Sequence, residues 1–239
     1  MKTIFKISAI AATFLFISCN FNVSFGEDGN GNVVTEERTV SENFTEIRGS
    51  EGLNVEITQG DENKITVEAD ENLLQYIETE VESGKLKIGT SENIGRATAK
   101  NVYVTFKQVN TLEASSGAEL ISKNVVKSEN LSLNSSSGAN LDVEIFAKKS
   151  TAKSSSGSQL LLRGKSSALV ADASSGSKLD AKQLLVIDCD AEASSGATVT
   201  VNVKERLETR ASSGGEINYY GNPSAVNSDK SRSGSVNKM

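Results

Sequence analysis

The chain has 239 residues, with 31 acidic against 25 basic side chains, no His and no Trp. Without His it lacks the base of Ser-His-Asp and Cys-His catalysis and the commonest metal ligand. Two Cys, one of them at position 19, leave no intramolecular disulfide framework in a mature chain. The acidity is uneven: residues 27–92 hold 17 acidic and 5 basic side chains, whereas residues 93–239 hold 14 and 18. The basic excess is scattered, without the aromatic interleaving of a nucleic-acid surface, so no nucleic-acid partner is expected.

In chain order, Lys2 and Lys6 precede an apolar run from Ile7 to Ile17, too short to span a bilayer. Small Ser18 and then Cys19 follow, so residues 1–18 read as a lipoprotein signal peptide. The string "LFISC" resembles a bacterial lipobox, which makes Cys19 the expected lipidation site and the membrane an expected partner. Acyl chains on one residue hold a protein at a membrane when more than one is present. The expected address is the cell envelope, at the outer membrane of a Gram-negative bacterium. Residues 19–37 are rich in Gly and Asn and read as a flexible tether. Within them "EDGNGN" resembles a fragment of a calcium loop, but the remaining ligands and the closing glutamate are missing. No metal site and no cofactor are expected.

Residues 38–110 form a strand-rich leader. "LNVEIT" (53–58) and "KITVEA" (64–69) alternate around "QGDEN" and predict a hairpin. "YIETEV" (76–81) and "KLKIGT" (85–90) predict another around "ESG". "ENLLQ" (71–75) suits one helical turn, and "NVYVTF" (101–106) a further strand. Alternation alone leaves open whether the leader is a separate sheet or the first coils of the same stack as the repeats.

Residues 111–221 repeat. A glycine follows a serine pair at 117, 138, 157, 176, 196 and 214, and a single serine at 234. The intervals are 21, 19, 19, 20, 18 and 20 residues. Three residues after the glycine stand Leu120, Leu141, Leu160, Leu179, Val199 and Ile217; three before stand Ala114, Ser135, Ser154, Ala173, Ala193 and Ala211. Odd offsets are apolar or small and even offsets carry most of the charge, which is strand periodicity with one face inward. A short all-strand repeat of this kind predicts coils stacked at about 4.8 Å, each burying its inward face against its neighbours. Ser-Ser-Gly is then the corner: glycine permits positive φ, and serine hydroxyls bond nearby backbone. Cys189 falls on an expected inward series of Leu185, Ile187, Cys189, Ala191 and Ala193, as a buried thiol. Residues 222–239 are a degenerate terminal repeat with Asn237 at an aliphatic position, suited to an exposed end. The predicted fold is all-β: a right-handed parallel β-helix (solenoid) with coils of about 20 residues behind a strand-rich leader.

"NFTEIRGSEGLNVEITQGDENKITVEADENLLQYIETEVESGKLKIGT", then "VYVTF", then serial "SSGA"-like corners resemble the bacterial family called putative autotransporter adhesin, head GIN domain. Lys107-Gln108 stands where the family has a proline after the "VYVTF" strand. The resemblance implies a secreted or envelope-anchored parallel β-helix and supplies no catalytic residues.

The expected function is that of a noncatalytic envelope lipoprotein presenting a β-helical surface to an unidentified protein or glycan, in adhesion or assembly. One alternative is lipid or small-ligand binding at an open end or at the junction with the leader. Another is a carbohydrate-active β-helix enzyme using the outward acids Asp188, Asp190 and Glu192; the residues point away from catalysis. The small column before the corner gives a direct test of the coil. Ala193→Leu should overpack it and cost on the order of 1–3 kcal/mol in urea unfolding.

Overall fold

A strand with one apolar face is stable only if that face is covered, and here each coil is covered by its neighbours and by the wall across the core. The computed structural model describes residues 26–40, 42–230 and 233–239; the expected signal peptide and Cys19 lie outside the described residues. The strands are β1 (Val33–Arg38), β2 (Glu46–Gly49), β3 (Asn54–Gln59), β4 (Lys64–Asp70), β5 (Ile77–Glu82), β6 (Lys85–Thr90), β7 (Lys100–Phe106), β8 (Thr111–Ala114) and β9 (Glu119–Ser122). They continue as β10 (Val126–Ser135), β11 (Asn140–Ser154), β12 (Gln159–Ala173), β13 (Lys178–Ala193), β14 (Thr198–Ala211), β15 (Glu216–Gly221), β16 (Ala225–Lys230) and β17 (Ser235–Lys238). Parallel pairing joins each coil to the next from β2 and β3 to β16 and β17, forming the predicted β-solenoid.

The aliphatic column is one file. It runs Val67–Val102–Val55–Leu120–Leu141–Leu160–Leu179–Val199–Ile217–Val236, each residue paired with the next. All but Val236 are fully buried, and Val236 packs partly buried on the same core. On the wall before the corner a second buried file runs Leu86–Ile47–Leu112–Leu133–Ala152–Ala171–Ala191–Thr209. It shrinks along the stack while the first stays large. The closeness of the walls shows at Gly49, in the small column: a Cβ there would meet Val55 Cγ2 at 2.9 Å.

The corners are two-residue turns. Ala118 N–H donates to Ser115 O at 3.0 Å, with both Ser116 and Gly117 at positive φ (50° and 72°). The mirror-image hairpin turn needs this of both central residues. Sequence reasoning gave positive φ to the glycine alone, yet Ser137, Ser156, Ser175, Ser195 and Ser213 share it. A left-handed backbone costs a residue with a Cβ about 1–2 kcal/mol. The stack offsets this by backbone bonds between corners. Gly52, Gly117, Gly138, Gly157, Gly176 and Gly196 each donate N–H to the carbonyl of Ser116, Ser137, Ser156, Ser175, Ser195 and Ser213 respectively, at 3.0–3.1 Å. The hydroxyls that join coils sit in the flanking columns: Ser158 Oγ donates to Ser135 O at 2.8 Å, and Ser177 Oγ to Ser154 O at 2.7 Å.

The leader belongs to the same stack. Gly49↔Ala114 and Val55↔Leu120 pair in register, so Ser50-Glu51-Gly52 is a corner with glutamate in place of the second serine. The predicted hairpin of residues 53–69 does not form: β7 lies between β3 and β4, parallel to the first and antiparallel to the second. The second predicted hairpin does form, as β5 and β6, and residues 71–76 make a 3-10 turn. At the far end Glu216↔Ser235 and Ile217↔Val236 pair, so Ser233 takes the corner-glycine position and Gly234 the next one. The expected register, with Asn237 in the aliphatic file, is therefore one residue out, and Val236 continues that file.

Residues 27–37, expected as part of a flexible tether, are instead built into the fold. β1 pairs antiparallel with β4, and the residues before it are stitched to residues 70–72 and 93–96. Asp28 Oδ1 accepts from Arg96 N–H at 2.8 Å, and Asn72 Nδ2 donates to Asp28 O at 2.9 Å. Buried Asp70 accepts backbone N–H bonds from Gly31, Thr98 at 2.7 Å and Ala99 at 3.1 Å. Gly29 passes so close that a Cβ would lie 2.5 Å from the Asp70 carboxyl carbon. The "EDGNGN" stretch is thus a clasp that ties the first strand to the stack.

Burial and bonding make two groups testable. Foremost the Ala99 N–H, then those of Gly31 and Thr98, hold the Asp70 carboxyl below its ordinary 3.8 against the opposing effect of burial. A depressed carboxylate contributes stability above its unfolded pKa that is lost as pH falls through the folded value. Asp70→Asn should therefore melt below wild type at pH 7, with the gap closing under pH 3.8. Cys189 is buried as expected, and burial, then the Asp190 charge, pushes its thiol up to about 12. In a Cys19→Ser chain a thiol-specific disulfide reagent should leave Cys189 unmodified until urea unfolds the coil.

Candidate binding groove

The acids singled out from sequence lie on the outer face of β13, and the next coil neutralises them. Arg210 Nη2 lies 3.0 Å from Asp190 and its Nε 3.7 Å from Glu192; Arg206 Nε lies 3.7 Å from Asp188. They are an ion-pair ladder across coils rather than a separated acid and base. Among the described residues no group of three or more His, Cys, Asp and Glu side chains is arranged to hold a metal ion.

The surface feature that sequence reasoning missed begins where the coil bends a second time. Along β13 Leu184, Val186, Cys189 and Ala191 point inward, and Ile187 and Asp188 both point out. The phase of the alternation flips there, and the pairing with β14 shifts between Val186 and Asp188. The equivalent outward pairs on earlier coils are Glu129-Asn130 and Lys148-Lys149. Leu185 and Ile187, expected inward by carrying strict alternation back from Cys189, are instead 44% and 38% exposed. Phe146, on the same outer side, is 59% exposed.

These residues line a lateral groove of about 1100 Å3 that crosses several coils. Its floor contains the file Lys127–Phe146–Lys165–Leu185, each paired with the next. Lys107 and Gln108, on the link between β7 and β8, line its N-terminal end. Gln59 locks that end: Lys127 N–H donates to Gln59 Oε1 at 2.7 Å, and Gln59 Nε2 donates to Lys107 O at 3.1 Å. On the inner wall Ser128 Oγ donates to Val109 O at 3.0 Å, and Ser150 and Ser166 share a buried hydroxyl bond of 2.9 Å. The groove thus has a fixed floor on which apolar side chains and lysines alternate, on a chain that is acidic overall.

Comparison with known proteins agrees with this architecture. A crystal structure described as a "putative adhesin" from Bacteroides fragilis superposes with a TM-score of 0.82 at 17% identity, covering 89% of this chain and 100% of that one. A "putative lipid binding protein" from Parabacteroides distasonis gives 0.70 at 21% identity, over 89% and 99%. A "putative adhesin" from Parabacteroides merdae gives 0.67 at 18%, over 89% and 98%. At these identities the likeness shows the fold. No curated protein matches the chain. The family described as "Putative auto-transporter adhesin, head GIN domain" matches residues 43–223, from just before the first coil to the end of β15, and the chain belongs to that family.

Proposed function

We propose that the chain is a noncatalytic binding protein of the bacterial envelope, anchored through lipidated Cys19, that presents the side of its solenoid to a protein or glycan in adhesion or assembly. The observation that carries this reading is the lateral groove. Phe146, Leu185 and Ile187 point away from the core and lie outside its hydrophobic cluster, yet they gather in one concave strip. Exposed apolar residues scattered singly need no explanation, whereas a clustered, polar-rimmed strip marks a contact surface. Membership of an adhesin-described family agrees with an envelope address. A second reading, binding of a lipid or small ligand, is favoured by the apolar floor of a groove that starts at the leader junction, at Lys107 to Asn110, and runs on along the coils.

Fractionation and adherence assays test both halves. Cys19→Ser should move the chain from the membrane to the soluble fraction and abolish metabolic labelling with palmitate. Phe146→Asp with Leu185→Asp should leave the melting temperature unchanged and lower adherence, or capture of envelope partners, at least about tenfold, as loss of a central apolar anchor does. Adherence unchanged in the double variant would remove the groove from the function.

A further inference from the structure

We propose that the lateral groove is a site for a single-chain anionic amphiphile, its acyl chain along Phe146, Leu185 and Ile187 and its head group among Lys107, Lys127 and Lys165. This rests on reading the groove as a binding site, and it does not depend on the adhesive role.

Three of the seven large hydrophobic side chains exposed among the described residues lie in this groove, so the apolar strip is local rather than a general property of the surface. In the file Lys127–Phe146–Lys165–Leu185 cations and apolar groups alternate from coil to coil. At about 4.8 Å per coil, Lys127 and Lys165 bracket Phe146 at roughly 10 Å from each other. The charge is available. Glu129 is the one carboxylate in the lining, and it is paired with Lys148 at 2.6 Å. Lys204 lies 3.9 Å from Glu205. Among the described residues, Lys107, Lys127 and Lys165 make no ion pair within 4.0 Å.

The floor selects between kinds of occupant. Its backbone N–H and C=O groups are used in the ladders between coils, so it offers no sheet edge to an extended peptide. A peptide laid on Phe146 and Ile187 would find no free backbone groups of the floor to pair with its amides, and an unpaired buried amide is costly. An acyl chain has no polar groups to satisfy. It asks only for apolar surface along its length and a cation within reach of its head group. The four members of the file span roughly 14 Å, and Lys107 and Lys204 extend the groove beyond both ends.

The full chain carrying Cys19→Ser, so that its own acyl groups do not compete, is titrated with oleate below its aggregation concentration. Methyl oleate, inorganic phosphate, anionic phospholipid vesicles and a leucine-containing acidic peptide are the comparison probes. The proposal expects saturable one-to-one binding of oleate, at least tenfold weaker binding of methyl oleate and no binding of phosphate alone. Phe146→Asp with Leu185→Asp should lose oleate binding. Lys127→Gln with Lys165→Gln should bring oleate to the affinity of its methyl ester, with circular dichroism and melting temperature unchanged in both variants. Oleate crosspeak shifts in a wild-type NMR titration should map to Phe146 and Leu185, which locates the site without any variant. The proposal is overturned by absent or non-saturable oleate binding, by shifts mapping elsewhere, or by vesicles or the acidic peptide binding where oleate does not compete. If oleate fails while Phe146→Asp still abolishes adherence, the amphiphile site falls and the adhesive groove stands. The reverse pattern leaves the amphiphile site and removes the adhesive one.

Discussion

The structure depends on one repeated backbone bond, from the glycine N–H of the corners Gly52 to Gly196 to the left-handed serine carbonyl of the next coil. It fixes where one coil starts relative to its neighbour. Because side chains alternate with period two, a slip of one residue would turn every inward leucine outward. The corner ladder and the aliphatic file therefore specify each other: the bonds set the register, and burial of the file penalises any other. No single coil encloses a core, so stability is a sum over neighbouring pairs. The ends must be handled separately. At the N-terminal end antiparallel β1, β4 and β5 and the Asp70 clasp close the stack. At the other end the short strands β16 and β17 are the last parallel members.

The same physics decides how far sequence alone could reach. Columns of Leu, Ala and Ser at fixed offsets are the direct imprint of stacking, so the coils from Gly117 to Gly214 were legible. The corner at Gly52 was not, because Glu51 replaces a serine and 65 residues separate it from Gly117. The false hairpin of residues 53–69 shows the limit of alternation. It reports that a strand has a buried face and is silent on which strand lies beside it, and β7 took the place between β3 and β4. At Gly234 the motif itself misled, since a Ser-Gly pair was matched to Ser-Gly while the pairing places Val236 on Ile217.

The groove was hidden for a related reason. A coil must turn more than once, and at its second bend two successive residues point outward. Alternation counted from Cys189 through that bend arrives in the wrong phase and places Leu185 and Ile187 inside. The same bend produces the groove, so the error and the candidate site share a cause. Residues that break the local pattern without helping the fold are where function is to be sought. Here they are three apolar side chains with lysines between and around them, while the paired acids Asp188, Asp190 and Glu192 belong to the scaffold.

The central claim is that successive corners stack in register from the leader to the last coil. Pulsed electron-spin distances test it most directly, with nitroxide labels on outward positions of one file in a Cys19→Ser, Cys189→Ala chain. Glu119, Asn140, Gln159, Lys178, Thr198 and Glu216 pair in succession. The backbone separation should grow by about 4.8 Å per coil, reaching roughly 19 Å between Glu119 and Thr198 and roughly 24 Å between Glu119 and Glu216. Narrow distributions with that increment are the predicted result. Distances that fail to lengthen from Thr198 to Glu216, or that spread broadly, would contradict it.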